Sequence, residues 1–286
     1  MRHSLFLVTL LWLGACASAN SSQLKSPVAY APNATDTIQA PPILSPDTAM
    51  TSSAAPDTAY LNPANVKAKY QPYDFSQLWQ YDAGRLTLGF IGKDYQRLRM
   101  VLLRVRQDEH ASDLYHVEGQ SKVKGICCSL IGTIRLQYVW ELKPEANQLS
   151  GDAETTAFVA HRGQLRATYE FREARNGPHT GTFRGTLKTD WLLAKDGHIR
   201  YDDLEMNADG YANNQFAGEW RSYDGKLHYR ANWGDNRIPE SGPLDVGVGQ
   251  FKPDSAYVRY GWQSYVKAIN SRNKQGWDRE TARWWR

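Results

Sequence analysis

Gly132-Thr133-Ile134-Arg135, Gly163-Gln164-Leu165-Arg166, Gly181-Thr182-Phe183-Arg184 and Gly185-Thr186-Leu187-Lys188 repeat one short phrase: glycine, a polar residue, an apolar residue, a base. It returns as Gly218-Glu219-Trp220-Arg221 and, more loosely, as Gly225-Lys226-Leu227-His228. Successive side chains of a strand point to opposite faces. Each phrase therefore sends its apolar residue to one face and its polar residue and base to the other. One face on a core and one in water is the habit of antiparallel sheets.

Working outward, the same alternation marks further strands. Arg85–Ile91 places Leu86, Leu88 and Phe90 on one face. In 95–106, Leu98, Met100, Leu102 and Arg104 share one face and Arg97, Arg99, Val101 and Leu103 the other. Tyr115, Val117 and Val123 fall in register. Strands are predicted over 130–142, 153–159, 164–171, 180–193, 198–204 and 215–223. Turns are predicted at Pro144–Asn147, His161–Gly163, Arg175–Pro178 and Lys195–Gly197, and Asp196-Gly197 and Asp224-Gly225 are preferred hairpin dipeptides. Many short strands joined by hairpins predict an all-β fold, an antiparallel barrel or sandwich. The phrase keeps no fixed period, which excludes a propeller or solenoid. After Pro253, Asp254 is placed to cap a short helix, with Val258, Trp262, Tyr265, Val266 and Ile269 at helical spacing.

The chain has 286 residues, enough for one large domain, and a net charge of +4. That mild basicity lies below what a dedicated nucleic-acid binder carries. Ten Trp and sixteen Tyr suit both sheets and surfaces that meet sugars or membranes.

The N-terminus has the form of a targeting segment. Arg2 and His3 precede a run of about ten apolar residues, too short for the roughly 20 that span a bilayer. Leu13-Gly14-Ala15-Cys16 then resembles the lipobox of bacterial lipoproteins. That resemblance implies a signal peptide over 1–15, a lipid (palmitate among its acyl groups) on Cys16, and, with no Asp after the Cys, the outer membrane. Ordinary secretion with cleavage after Ala17 or Ala19 is the alternative. Residues 16–69, rich in Ala, Ser, Pro and Thr, predict a flexible tether. The folded domain is expected over 70–270, followed by a basic, Trp-rich tail over 271–286.

The strand pattern resembles the lipocalin or calycin barrel in architecture. Trp233-Gly234-Asp235 followed by Arg237-Ile238-Pro239 resembles uncharacterised secreted β proteins of Gram-negative bacteria, with no activity to transfer.

No set of catalytic residues stands out. Gly-x-Ser-x-Gly, His-Glu-x-x-His and Walker motifs are absent, Ser264-Tyr265-Val266-Lys267 lacks its partner motifs, and His116-Val117-Glu118 lacks a zinc deaminase's cysteines. Glu205–Gly210 opens like a calcium loop, but Phe216 stands where the closing Glu belongs. The competing reading is a strand end with Leu204, Met206 and Ala208 inward. No metal and no cofactor are expected. Of Cys127 and Cys128, adjacent and facing opposite sides, one is expected buried and one less so, with a redox vicinal disulfide as the alternative.

Charged residues among the glycines of 234–249 make that loop a recognition candidate: Asp235, Arg237, Glu240 and Asp245, next to Trp233. The alternative is that Asp235 and Arg237 pair and pin the loop across a barrel mouth. In the tail, Trp277, Trp284 and Trp285 lie among arginines, a set suited to acidic glycans, lipid headgroups or phosphates. Three functions are compatible with these residues. The first is a lipid-anchored envelope β-barrel that binds a small apolar ligand or an envelope component. The second is a structural or assembly lipoprotein acting through protein–protein contacts. The third is a hydrolase whose carboxylates, around Asp235, Asp245 or Glu205, meet only in the fold. Partner classes are the membrane through the lipid, a lipid or glycan, or an envelope protein, and not nucleic acid.

Overall fold

The computed structural model describes residues 59–286 except 145, 147–156, 176, 178, 272 and 273. The signal peptide, Cys16 and most of the predicted tether lie outside the described residues. So do residues 153–156 of the strand predicted over 153–159, and Ala157 and Phe158 form a turn in place of its continuation.

Among the described residues nine strands form one antiparallel sheet: β1 (Thr87–Ile91), β2 (Gln96–Gln107), β3 (Leu114–Val123), β4 (Ile126–Glu141), β5 (Val159–Glu173), β6 (Gly181–Ala194), β7 (Ile199–Tyr201), β8 (Asn213–Ser222) and β9 (His228–Asp235). Neighbours pair in the order β5-β4-β3-β2-β1-β9-β8-β6-β7, and β5 also pairs with β6. Eight strands thus close a ring, with β7 attached beside the far half of β6. Closure leaves few unpaired edges. Two short helices follow, α1 (Gln263–Ser271) and α2 (Lys274–Glu280).

The repeated phrase faces as the alternation requires. Ile134, Leu165, Phe183, Leu187 and Trp220 are buried in the ring core, while Arg135, Arg184 and Arg221 are exposed. In the strands, the glycine that opens the phrase shares the inward face with the apolar residue two positions on, and at Gly163, Gly181, Gly185 and Gly218 it makes room for an aromatic side chain. A Cβ on Gly163 would lie 2.4 Å from the Trp191 ring, its partner across β6. Gly185 and Gly218 are paired, and a Cβ on either would come within 2.8 Å of the Tyr169 hydroxyl. Gly163 therefore continues β5, and the turn predicted at His161–Gly163 does not form. The strand bulges between Val159 and His161 instead.

Aromatic rings fill the interior. Trp233 stacks on Phe216 at 4.8 Å and meets the edges of Tyr169 at 5.1 Å and Phe183 at 5.9 Å. Burying each such side chain contributes roughly 1.5–3 kcal/mol. The core also takes in residues before the first strand. Leu61 bridges Leu142, Val66 N–H donates to the Val139 carbonyl, and Tyr70, Phe75, Leu78 and Trp79 pack inside. Tyr70 lies 4.6 Å from the Trp191 ring. Packing against the sheet therefore includes residues from Leu61 on, ahead of the predicted boundary at 70.

Two other expectations change. A bulge between Leu102 and Arg104 shifts the faces of β2, so Val105 is buried and Arg104 is exposed. Residues 204–210 form turns, with Met206 exposed, and not a strand end; the strand predicted over 198–204 stops at Tyr201. No group of metal-ligating side chains occurs among the described residues. Cys127 is exposed and Cys128 buried, both free thiols, as the alternation implies.

A second apolar cluster covers the other face of β1. Leu88 and Phe90 pack there with Tyr95, Ile238, Leu244, Phe251, Trp262 and Tyr265. The predicted cap forms: Asp254 accepts from Ala256 N–H at 2.8 Å and starts a 3-10 turn over Ser255–Tyr260. Gly261, at φ 97°, ends it before α1 begins. No helix among the described residues is long and apolar enough to cross a membrane.

Candidate functional site: a seam between two strands

The shortest ladder in the ring lies at one join. Between β1 and β2 the pairing runs to two residue pairs, Phe90 with Arg97 and Ile91 with Gln96. β3 by contrast pairs with β4 along its whole length. Past Phe90 the two strands part, and other segments fill the gap. Tyr81 N–H donates to the Leu102 carbonyl at 2.7 Å, so the 79–87 segment leans on β2. From the C-terminus, residues 280–285 lie across the same opening as a strap. Between them is a cavity of about 90 Å³. Its lining runs from Arg97, Arg99 and Glu280 past Trp284 and Trp285 to Trp233 and Asp235.

Four residues singled out in the sequence thus meet at one place: Trp233, Asp235, Trp284 and Trp285. Asp235 is enclosed and does not pair with Arg237. It accepts from Thr87 Oγ1 at 2.7 Å, Asn214 Nδ2 at 2.8 Å and Tyr201 OH at 3.2 Å. Burial pushes its carboxyl above the usual range, against the opposing pull of those donors and of Arg85. A bulge in β8 between Asn213 and Phe216, with Asn214 at φ 47°, turns Asn214 to this position. Asn is among the few non-glycine residues that tolerate that region. Its amide also donates to the Leu78 carbonyl, and its oxygen accepts from Thr189, which in turn accepts from Trp79 Nε1. This network fastens the 78–87 segment to the ring.

The other candidates lie apart. Arg237 Nε is 3.3 Å from Asp245, and Asp245 accepts from the backbone of Gly247 and Lys252. These contacts pin the 236–254 loop to itself, and Glu240 is exposed at its rim. Trp277 packs edge-on to Tyr265 at 6.1 Å in the second apolar cluster, away from the other two tail tryptophans. Glu205 lies on a separate open groove, 3.7 Å from Arg162. There Arg162 and Asp202 form a buried pair at 2.6 Å, and Asp190 accepts from Gln164 at 2.8 Å. Burial raises both carboxyl groups. The three carboxylates named for a hydrolase, Asp235, Asp245 and Glu205, are therefore not gathered in one cleft.

The sequence reading missed the charges that hold the strap. Arg97 and Arg99 project from the outward face of β2, and both donate to the Glu280 carboxylate. Arg99 donates in addition to the Glu280 carbonyl at 3.0 Å. Trp285 meets Tyr81 edge-on at 4.6 Å, and its carbonyl accepts from Gln120 of β3. One signal was present: the outward face of β2 mixes Arg97 and Arg99 with Val101, as a face covered by other chain would.

Comparison with known proteins finds no family model, no curated protein and no solved structure that this chain matches. The geometry of the seam therefore carries the functional argument unaided.

Proposed function

We propose that this chain is a non-enzymatic binding module of the cell envelope, lipid-anchored at Cys16 in the outer membrane, which recognises its ligand or envelope partner at the seam. One observation carries the reading. The ring interior is occupied by its own aromatic side chains, with Trp233 in contact with Tyr169, Phe183 and Phe216. Small-molecule sites ordinarily enclose about 300–1,000 Å³; the cavity beside the seam holds about 90 Å³, and the larger spaces, about 660 and 550 Å³, are grooves outside the ring core. A carrier that swallows an apolar ligand whole is thereby disfavoured. Recognition at the join of strand and strap is favoured, because a buried arginine, a half-buried one and two tail indoles meet there.

The test is native mass spectrometry of the full chain purified from its host. The expected result is a co-purifying small molecule or envelope component that is reduced when Trp284 and Trp285 are both changed to Ala. Bare protein in repeated preparations, with no binding of added envelope lipid, would refute the reading. The anchor is tested separately, since Cys16→Ser should move the chain from the membrane fraction to the soluble one.

A further inference from the structure

Arg97 and Arg99 are two positive charges held side by side, the first buried and the second partly so. Arg97 is 6% exposed. Burial, and next the charge of Arg97, push the Arg99 guanidinium below its usual value. Such a pair needs an anion, and the fold supplies one from the far end of the chain. The Glu280 carboxylate takes one oxygen to Arg97 and the other to Arg99. Arginine side chains match carboxylates in shape as well as charge.

The arrangement is incomplete in one respect. Arg97 Nη1 reaches Ser264 Oγ at 3.3 Å, but its buried Nε has no hydrogen-bond partner. Beside the two arginines lies the seam cavity, walled by Tyr81, Trp233, Trp284 and Trp285. Its volume is about 90 Å³. Lifting the strap would add the space of the Glu280 side chain and the two indoles.

We infer that Arg97 and Arg99 form a carboxylate receptor, that Glu280 is its built-in occupant, and that a small carboxylic acid with a short apolar or aromatic body takes the same place when the strap lifts. The acid's carboxylate replaces that of Glu280, and its body enters the cavity against Tyr81 and Trp233. This rests on the reading of the seam as the recognition surface and names the chemistry recognised there. A ligand tethered to its own receptor competes at an effective concentration in the millimolar range, so the intact chain holds a free acid weakly. The remaining strap contacts are the Trp285 ring edge-on to Tyr81, the Gln120 bond to the Trp285 carbonyl, and two cation–ring contacts. Trp284 lies 6.0 Å from the Lys122 ammonium and Arg283 5.8 Å from the Tyr81 ring, both on partly exposed surface.

The experiment titrates benzoate, with benzyl alcohol as its uncharged counterpart, into the full chain while recording tryptophan fluorescence. Glu280→Gln should bind benzoate about tenfold or more tightly than the unaltered chain, the fold-change expected when a charge-assisted internal competitor is lost. Adding Arg99→Gln to that variant should erase the gain, and benzyl alcohol should bind neither form measurably. Equal benzoate affinity with and without Glu280, or equal binding of acid and alcohol, overturns the inference. If Glu280→Gln does not fold, Glu280→Asp keeps the charge on a shorter arm and should give an intermediate gain; no gain there overturns it as well. Failure here alongside a co-purifying partner in native mass spectrometry would leave the binding function standing. Benzoate exchange with no partner from the host would do the reverse.

Discussion

The Glu280 carboxylate is bound by the Arg97 guanidinium across 183 residues of chain, with both side chains almost wholly removed from water. Arg99 joins the same carboxylate at 3.0 Å. The contact ties the last helix to the strand at which the ring is least well paired. Removing one partner of a buried ion pair costs more than the pair itself contributes, because the remaining charge is left in a dry site.

Glu280→Gln should therefore lower stability by about 2–3 kcal/mol, as hydrogen bonds to charged groups suggest. The loss stays at that level because the strap is terminal and can lift to let water reach the arginines. The urea midpoint is the measurement. A change below about 0.5 kcal/mol, the ordinary surface value, would mean that the pair does not hold the strap.

Trp233→Ala tests whether the ring is solid. It should cost about 3–5 kcal/mol, as large aromatic truncations in cores do. The variant should also bind a small apolar probe such as benzene in the space created, where the unaltered chain does not. Probe binding by the unaltered chain at equal strength would show a hollow interior.

The pH dependence of stability carries the signature of Asp235. Its carboxyl is raised in the folded chain by burial, from a usual value of 3.8. Below that value both folded and unfolded chains hold the proton. As pH rises above it the unfolded chain releases the proton first, so the folded chain holds more protons and stability falls. The fall is at most about 1.4 kcal/mol per pH unit and ends at the folded value. Asp235→Asn should be less sensitive than the unaltered chain as pH rises from about 4 towards neutrality, measured as the difference in urea midpoint. Parallel curves would show that Asp235 does not titrate differently on folding.

The adjacent thiols should separate chemically. Burial pushes the Cys128 thiol up to about 11, with Glu173 and Cys127 adding to the shift, while Cys127 is exposed. Thiolate is the reactive form. Treating the native chain with a maleimide near neutral pH should leave one label on the peptide containing both, and two after denaturation. Two labels on the native chain would contradict the assigned faces.

The sequence revealed most of the ring, because the glycine phrase reports directly on strand alternation. Ile134, Leu165, Phe183 and Leu187 are inward in the structure as the phrase requires. What it concealed has physical reasons. β9 was missed because His228, Tyr229 and Arg230 are all exposed and the next five residues are all buried, so no alternation remains to be read. Its later half is covered by the ring core on one side and near the 236–254 loop on the other. Gly163 was misread as a turn because a glycine that admits Trp191 looks, in sequence, like a glycine that bends the chain. At the site, Trp233, Asp235, Trp284 and Trp285 were legible as unusual residues. Arg97, Arg99 and Glu280 were not, since a pair separated by 183 residues leaves no local pattern.

The central claim is that a solid ring carries a detachable strap over its weakest join. Amide hydrogen exchange resolved along the chain tests it most directly, comparing 274–286 with β3 to β6 in the unaltered chain and in Glu280→Gln. The account predicts strap amides that exchange faster than the ring's and lose their remaining protection in the variant, while the ring's amides stay protected and speed up only by the fall in global stability. Strap and ring amides that exchange together, and respond together to the substitution, would contradict it.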